Sequence, residues 1–252
     1  MRQNLRLTIE YDGTNYHGWQ RQKNASTVQG TIEAAIEKMT EQSVTVIGSG
    51  RTDAGVHAQN QIAHFSIDSK LTSEIFKKGL NSLVPADIVI KDCQAVDDSF
   101  HARYDVSSKV YNYHILNRPF PTALFRHYAW HIKKELDLNT MREAMLHLKG
   151  THDFSAFEAT GSHRSNPVRN VMNVSLHTKG SSGHLVFSIE ANGFLRCMVR
   201  NIVGTLVDIG LGKTSPTDFC DILHSKNRTQ AGATAPSQGL FLKEVKYEGG
   251  NI

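Results

Sequence analysis

The chain has 252 residues, 39% of them hydrophobic and 21% charged, with a formal net charge of +4. That length supports a large core in one big domain or two small ones, and the apolar fraction with so small a net charge excludes a wholly disordered chain. No run of eighteen or more apolar residues predicts a spanning helix, and MRQNLRLTIEYDG lacks the long apolar stretch and cleavage site of a secretory signal, so a cytoplasmic protein without membrane attachment is expected.

Leu5 to Tyr11 alternates apolar and polar and ends at Asp12-Gly13, which predicts a strand closed by a turn. A loop from Thr14 to Ser26 follows, carrying His17 and Trp19, each as easily a core residue as a ligand contact. Thr27 is placed to cap a helix whose apolar positions Val28, Ile32, Ala35, Ile36 and Met39 keep helical spacing. Ser43–Ile47 is expected to be a short strand, broken by Gly48-Ser49-Gly50. Strands are expected over 60–67 and 87–96, with a helix over 72–82 between them. This order fits a ferredoxin-like unit. A similar half follows: a strand over 109–116, a helix over 139–148, strands over 168–177 and 184–191 joined by the loop 179–183, helices over 194–209 and 216–223, and a last strand over 240–247. The fold class is α+β, in two related halves spanning 1–105 and 106–252.

The charge is uneven. Residues 1–108 hold 11 Lys+Arg against 13 Asp+Glu, and residues 109–252 hold 17 against 11. The basic second half leans weakly toward a polyanionic partner. Cys93, Cys197 and Cys220 are far apart and odd in number, so free thiols are expected rather than a disulfide scaffold or a zinc site. His57, His64, His101, His152 and His163 form no paired helical motif, and the zinc deaminase pattern is missing, so no metal site is expected.

The most informative stretch is GSGRTDAGVHA, residues 48–58. Three glycines in eight residues suit a tight turn or close approach of a ligand. Asp53 sits inside, two residues after Arg51. It could be an ordinary turn residue, part of a phosphate cradle, though the Gly-Lys-Ser/Thr ending of a P-loop is absent, or a nucleophilic or acid–base carboxylate. The string resembles the signature loop of the TruA family of tRNA pseudouridine synthases. YDGTNYHGWQRQ, SSKVYNYHI, FLRCMVRNIVGTL and ATAPSQGLFL resemble further blocks of that family in the same order, so the likeness runs from about residue 5 to 247.

The resemblance implies the pseudouridine synthase fold, two ferredoxin-like halves with a mainly antiparallel mixed sheet and a central active-site cleft. It implies isomerisation of uridine to pseudouridine at positions 38 to 40 of the tRNA anticodon stem-loop, by a homodimer needing no metal or cofactor. Asp53 corresponds to the family's catalytic aspartate and Arg200 to the arginine of its Met-Val-Arg segment. Tyr111 and Arg51 correspond to its substrate-contacting tyrosine and to the arginine beside the aspartate. The chemistry suits these types. A stacked base must be flipped out to be reached. A carboxylate stays ionised near a guanidinium, and Arg200, with room left by Gly204 four residues on, is expected to reach inward to serve as that partner. An aromatic ring can stack on uracil. Tyr113 shares the strand face of Tyr111 but is expected to be an ordinary strand aromatic. Arg21, Lys23, Arg164, Arg169, Arg196, Lys213 and Arg228 are candidates for RNA backbone contacts. The competing expectation is an RNA-binding module without turnover, which would not require a carboxylate.

Overall fold

The structure is a computed structural model describing residues 1–162, 166–180 and 182–248; His163, Arg164 and Ser181 lie outside the described residues. In chain order the elements are β1 (Arg2–Tyr11), α1 (Val28–Thr40), β2 (Ile47–Gly48), β3 (His57–Asp68), α2 (Ser73–Leu83), β4 (Ile88–Val96), β5 (Val106–Asn117) and β6 (Trp130–Ile132). They continue with α3 (Leu138–Met145), β7 (Gly150–Asp153), β8 (Val168–Lys179), β9 (His184–Ala191), α4 (Met198–Gly210), α5 (Pro216–Ser225) and β10 (Leu240–Tyr247). The chain divides into two compact units. One is Met1–Ser107 with the chain from Phe241 onward, and the other is Ser108–Leu240.

In the first unit β1 is central. It pairs antiparallel with β3, Leu5 facing Phe65, and with β4, Leu5 facing Ala95. β2 pairs antiparallel with β3 at Ala63 and His64. The order β4-β1-β3-β2 over a strand–helix–strand, strand–helix–strand path is ferredoxin-like. The late strand β10 joins the same unit by parallel pairing with β3, Phe241 beside His57 and Leu242 beside Ala58. The Thr27 side chain accepts from Gly30 N and caps α1, which buries Val28, Ile32, Ala35 and Ile36. Thr72 caps α2, which buries Phe76 and Leu80. The helices meet closely, because a Cβ on Gly79 would stand 2.6 Å from the Met39 sulfur.

The second unit repeats part of that path. β5, α3, β8, β9 and α4 follow in sequence, and the strands lie in the order β5-β9-β8, all antiparallel. β7 extends the sheet beyond β8, and β6 runs parallel to β5. α3 packs on α4 and α5. Ser215 and Asp218 form a full capping box at the start of α5.

Two elements differ from the sequence reading. The strand expected over 43–47 shrinks to Ile47–Gly48, because the Val46 N–H donates to Glu33 Oε1 at 2.9 Å instead of to a neighbouring strand. The helix expected from Phe194 begins at Met198, because Cys197 takes a left-handed φ of 60° and turns the chain just before it. β6 and β7, three and four residues long, are too short to show alternation in the sequence.

Candidate active site

The Asp53 loop is gripped by residues far from it in sequence. The segment Tyr16–Trp19 crosses directly over it. Trp19 N donates to Thr52 O at 3.1 Å, and Gly55 N donates to Tyr16 O at 3.2 Å. Gly18, at φ +88°, makes that crossing possible: a Cβ there would lie 2.4 Å from Thr52 O and 3.0 Å from Asp53 C. Gly48 leaves room for the buried Trp19 indole, which a Cβ would meet at 2.6 Å. Below the loop, the Tyr11 hydroxyl bonds Thr52 Oγ1 at 2.8 Å. Burial pushes the Tyr11 phenol above its ordinary range, so it stays neutral as a hydrogen-bonding group. Gln61, fully buried on β3, accepts from Ser49 Oγ at 2.6 Å and donates to Gly50 O at 3.0 Å. Ser49, Gly50 and Thr52 are therefore each tied, and Asp53 follows half-buried while Arg51 is exposed. Arg51 Nε donates to Gln20 Oε1 at 2.9 Å.

In the second unit Tyr111 on β5 is buried, its ring edge-on to Phe194 with centroids 5.0 Å apart. Tyr113, two residues on, is fully buried. Its hydroxyl donates to Pro236 O at 2.7 Å and its ring meets Trp130 edge-on, so it is a core residue. Burial drives its phenol well above the ordinary range, with the Arg200 guanidinium pulling the other way. Arg200 stands in the first turn of α4, part-buried. Its Nε donates to Ala235 O at 2.8 Å, while its own carbonyl accepts from Ala235 N at 3.1 Å. Gly204 does not leave space for a side chain, as the sequence suggested. A Cβ there would stand 1.7 Å from Ala233 O, so the glycine lets the 232–235 backbone lie against α4.

The structure thus puts Asp53 and Arg51 on one clamped loop of the first unit, and Tyr111 and Arg200 in the second. The basic candidates separate. Arg228 is spent on Asn201 Oδ1 and Thr234 Oγ1, both at 3.0 Å, and on Ala231 O. Arg169 bonds Asn166 O and Val168 O. Lys213 pairs with Asp208 at 2.7 Å, and Arg21 lies 3.0 Å from Glu33. Lys23 and Arg196 are exposed. His17 is exposed and Trp19 is core. The supports Tyr11, Gly18 and Gln61 escaped the sequence reading; the one hint was Gln61, a polar residue within the run of β3. The three cysteines are free thiols, and burial pushes Cys93 up to about 12. Among the described residues no group of three or more His, Cys, Asp or Glu could hold a metal, and no helix is long and apolar enough to cross a membrane.

Comparison with known proteins adds to this geometry. The sequence profile of the tRNA pseudouridine synthase family matches residues 7–105 and 144–248. The tRNA pseudouridine synthase A of Thermoanaerobacter sp. (strain X514) is 49% identical over 97% of this chain and 99% of its own length. That of Acetivibrio thermocellus is also 49% identical, with the same coverage. The tRNA pseudouridine synthase A 2 of Clostridium tetani is 47% identical over 98% of this chain and all of its own. The fold and these matches define an isomerase of the pseudouridine synthase class. The chain belongs to the tRNA pseudouridine synthase family, in the branch whose members carry the name tRNA pseudouridine synthase A.

Proposed function

We propose that this enzyme converts uridine to pseudouridine at positions 38 to 40 of the tRNA anticodon stem-loop, with Asp53 as the catalytic carboxylate. The reaction breaks the N1–C1′ bond and forms C5–C1′. The hydrogen on C5 leaves to water as a proton and N1 gains one, so nothing is oxidised and the base stays part of the molecule. A flipped uridine, extruded at about a few kcal/mol, must meet a carboxylate already in place. The observation that carries the reading is the double clamp on Thr52, from Trp19 N above and Tyr11 below, which fixes the backbone next to a half-buried Asp53. Such fixed geometry is what converts binding into rate. Arg200 acts with Asp53 in the chemical step. Tyr111 stacks on or hydrogen-bonds the flipped base, and Arg51 takes a phosphate beside it. The enzyme works in the cytoplasm on free tRNA, as a homodimer, and light scattering should give twice the monomer mass.

The test is tritium release from unmodified tRNA labelled at uracil C5. Release that disappears when positions 38 to 40 carry no uridine supports the proposal. Tight binding without release would reduce the protein to a binding module, and release from other positions would reassign the substrate.

A further inference from the structure

Arg51 is held at one end and open at the other. Its Nε donates to Gln20 Oε1, and among the described residues neither Nη has a hydrogen-bond partner. Behind Gln20 runs a relay. Gln20 Nε2 donates to Gln29 Oε1 at 2.8 Å, and Gln29 Nε2 donates to Glu33 Oε1 at 2.8 Å. Gln29 and Glu33 stand one turn apart on α1, only 4% and 6% exposed. Glu33 Oε1 also accepts Val46 N. Arg21 Nη1 lies 3.0 Å from Glu33 Oε2 but outside hydrogen-bond alignment, so the two form an ion pair without a shared proton.

The direction of this relay follows from its inner end. An ionised carboxylate only accepts, so the Gln29 amide must turn its NH₂ toward Glu33 and its oxygen toward Gln20. The backbone N–H of Arg21 donates to that same oxygen at 2.9 Å and excludes the flipped amide. Gln20 must then present its NH₂ inward and its oxygen to Arg51. Bonds aligned this way, guanidinium at one end and carboxylate at the other, strengthen one another. A guanidinium held at Nε keeps both Nη groups for a planar, two-pronged contact with a phosphate.

We propose that Glu33 is a positioning residue, acting through Gln29 and Gln20 to set the Arg51 fork that takes an RNA phosphate beside the nucleotide presented to Asp53. This rests on the reading of Asp53 as the catalytic carboxylate, since Arg51 is two residues from it.

A double-mutant cycle tests it, with full-length tRNA as substrate. Glu33→Gln removes the charge that orders both amides. Gln20→Leu cuts the outer link while leaving Gln29 Oε1 bonded to the Arg21 N–H, so it spares the buried end if Glu33→Gln fails to fold. Each should lower kcat/KM about tenfold, the usual worth of a hydrogen bond to a charged group. Each should also flatten the dependence of log KM on log salt by about one unit, the mark of one lost phosphate contact. In an Arg51→Ala background neither should change kcat/KM further by more than about twofold. Losses that persist undiminished in that background, or an unchanged salt slope in Gln20→Leu, would overturn the relay. A wild-type enzyme that releases no tritium would instead overturn the proposed function.

Discussion

Gly18→Ala probes the clamp over the Asp53 loop most sharply. The residue sits at φ +88°, where an alanine costs about 1–2 kcal/mol. Its Cβ would lie 2.4 Å from Thr52 O, whereas ordinary contact begins at 3.4 Å, so the carbonyl must retreat by about 1 Å. Overpacking of that kind adds about 1–3 kcal/mol. Gly212 supplies the control: it too has positive φ, +70°, but nothing lies within 4 Å of its missing Cβ. Gly212→Ala should therefore lose only the conformational part, about 1–2 kcal/mol by urea denaturation, and keep full turnover. Gly18→Ala should lose about 2–5 kcal/mol. The displaced carbonyl belongs to the residue before Asp53. A misplacement of about 1 Å at reacting groups costs about 10²-fold in rate, so kcat for tritium release at saturating tRNA should fall by that factor. Equal stability losses in the two variants, with Gly18→Ala turning over within twofold of wild type, would refute the idea that this crossing sets the loop.

Arg200→Met should lose kcat more than tRNA affinity, as judged by single-turnover rates beside filter binding; a pure loss of affinity with normal turnover would move Arg200 to RNA binding. Tyr113→Phe deletes the hydroxyl bonded to Pro236 O and should cost about 1–3 kcal/mol in stability, since a part-buried carbonyl loses its donor, with turnover unchanged. Asp153 has a carboxyl held below its usual range. Burial pushes it up, but hydrogen bonds from Ser155 and the Lys226 ammonium outweigh that. Its contribution to stability is thus complete above the unfolded-chain value of about 3.9 and is lost as pH falls through the lower folded value. Asp153→Asn should flatten that part of the acid limb in urea midpoints measured against pH.

The helices were legible because their signals are local. Thr27 stands where a cap must stand, and Val28, Ile32, Ala35 and Ile36 of the stripe that follows it lie on the face that α1 buries. Where a distant group competes for the backbone, local pattern fails. Val46 looks like strand, but its N–H belongs to Glu33, thirteen residues earlier. Leu195 keeps helical spacing with Val199, yet a left-handed Cys197 separates it from the helix. The candidate site divides in the same way. The glycine spacing around Asp53 marks a special loop in the sequence. What holds that loop does not show there, because Gly18 and Tyr11 lie more than thirty residues away and act only after folding. Charge is the least readable quantity. Arg228 and Lys23 look alike as letters, but one is absorbed by Asn201 and Thr234 while the other is exposed.

The measurement that bears most directly on the account is tritium release by Asp53→Asn, a replacement of nearly the same shape that cannot carry the negative charge. Release should fall to background while tRNA is still bound with close to wild-type affinity. Turnover at the wild-type rate would show that the carboxylate at position 53 does not perform the chemistry.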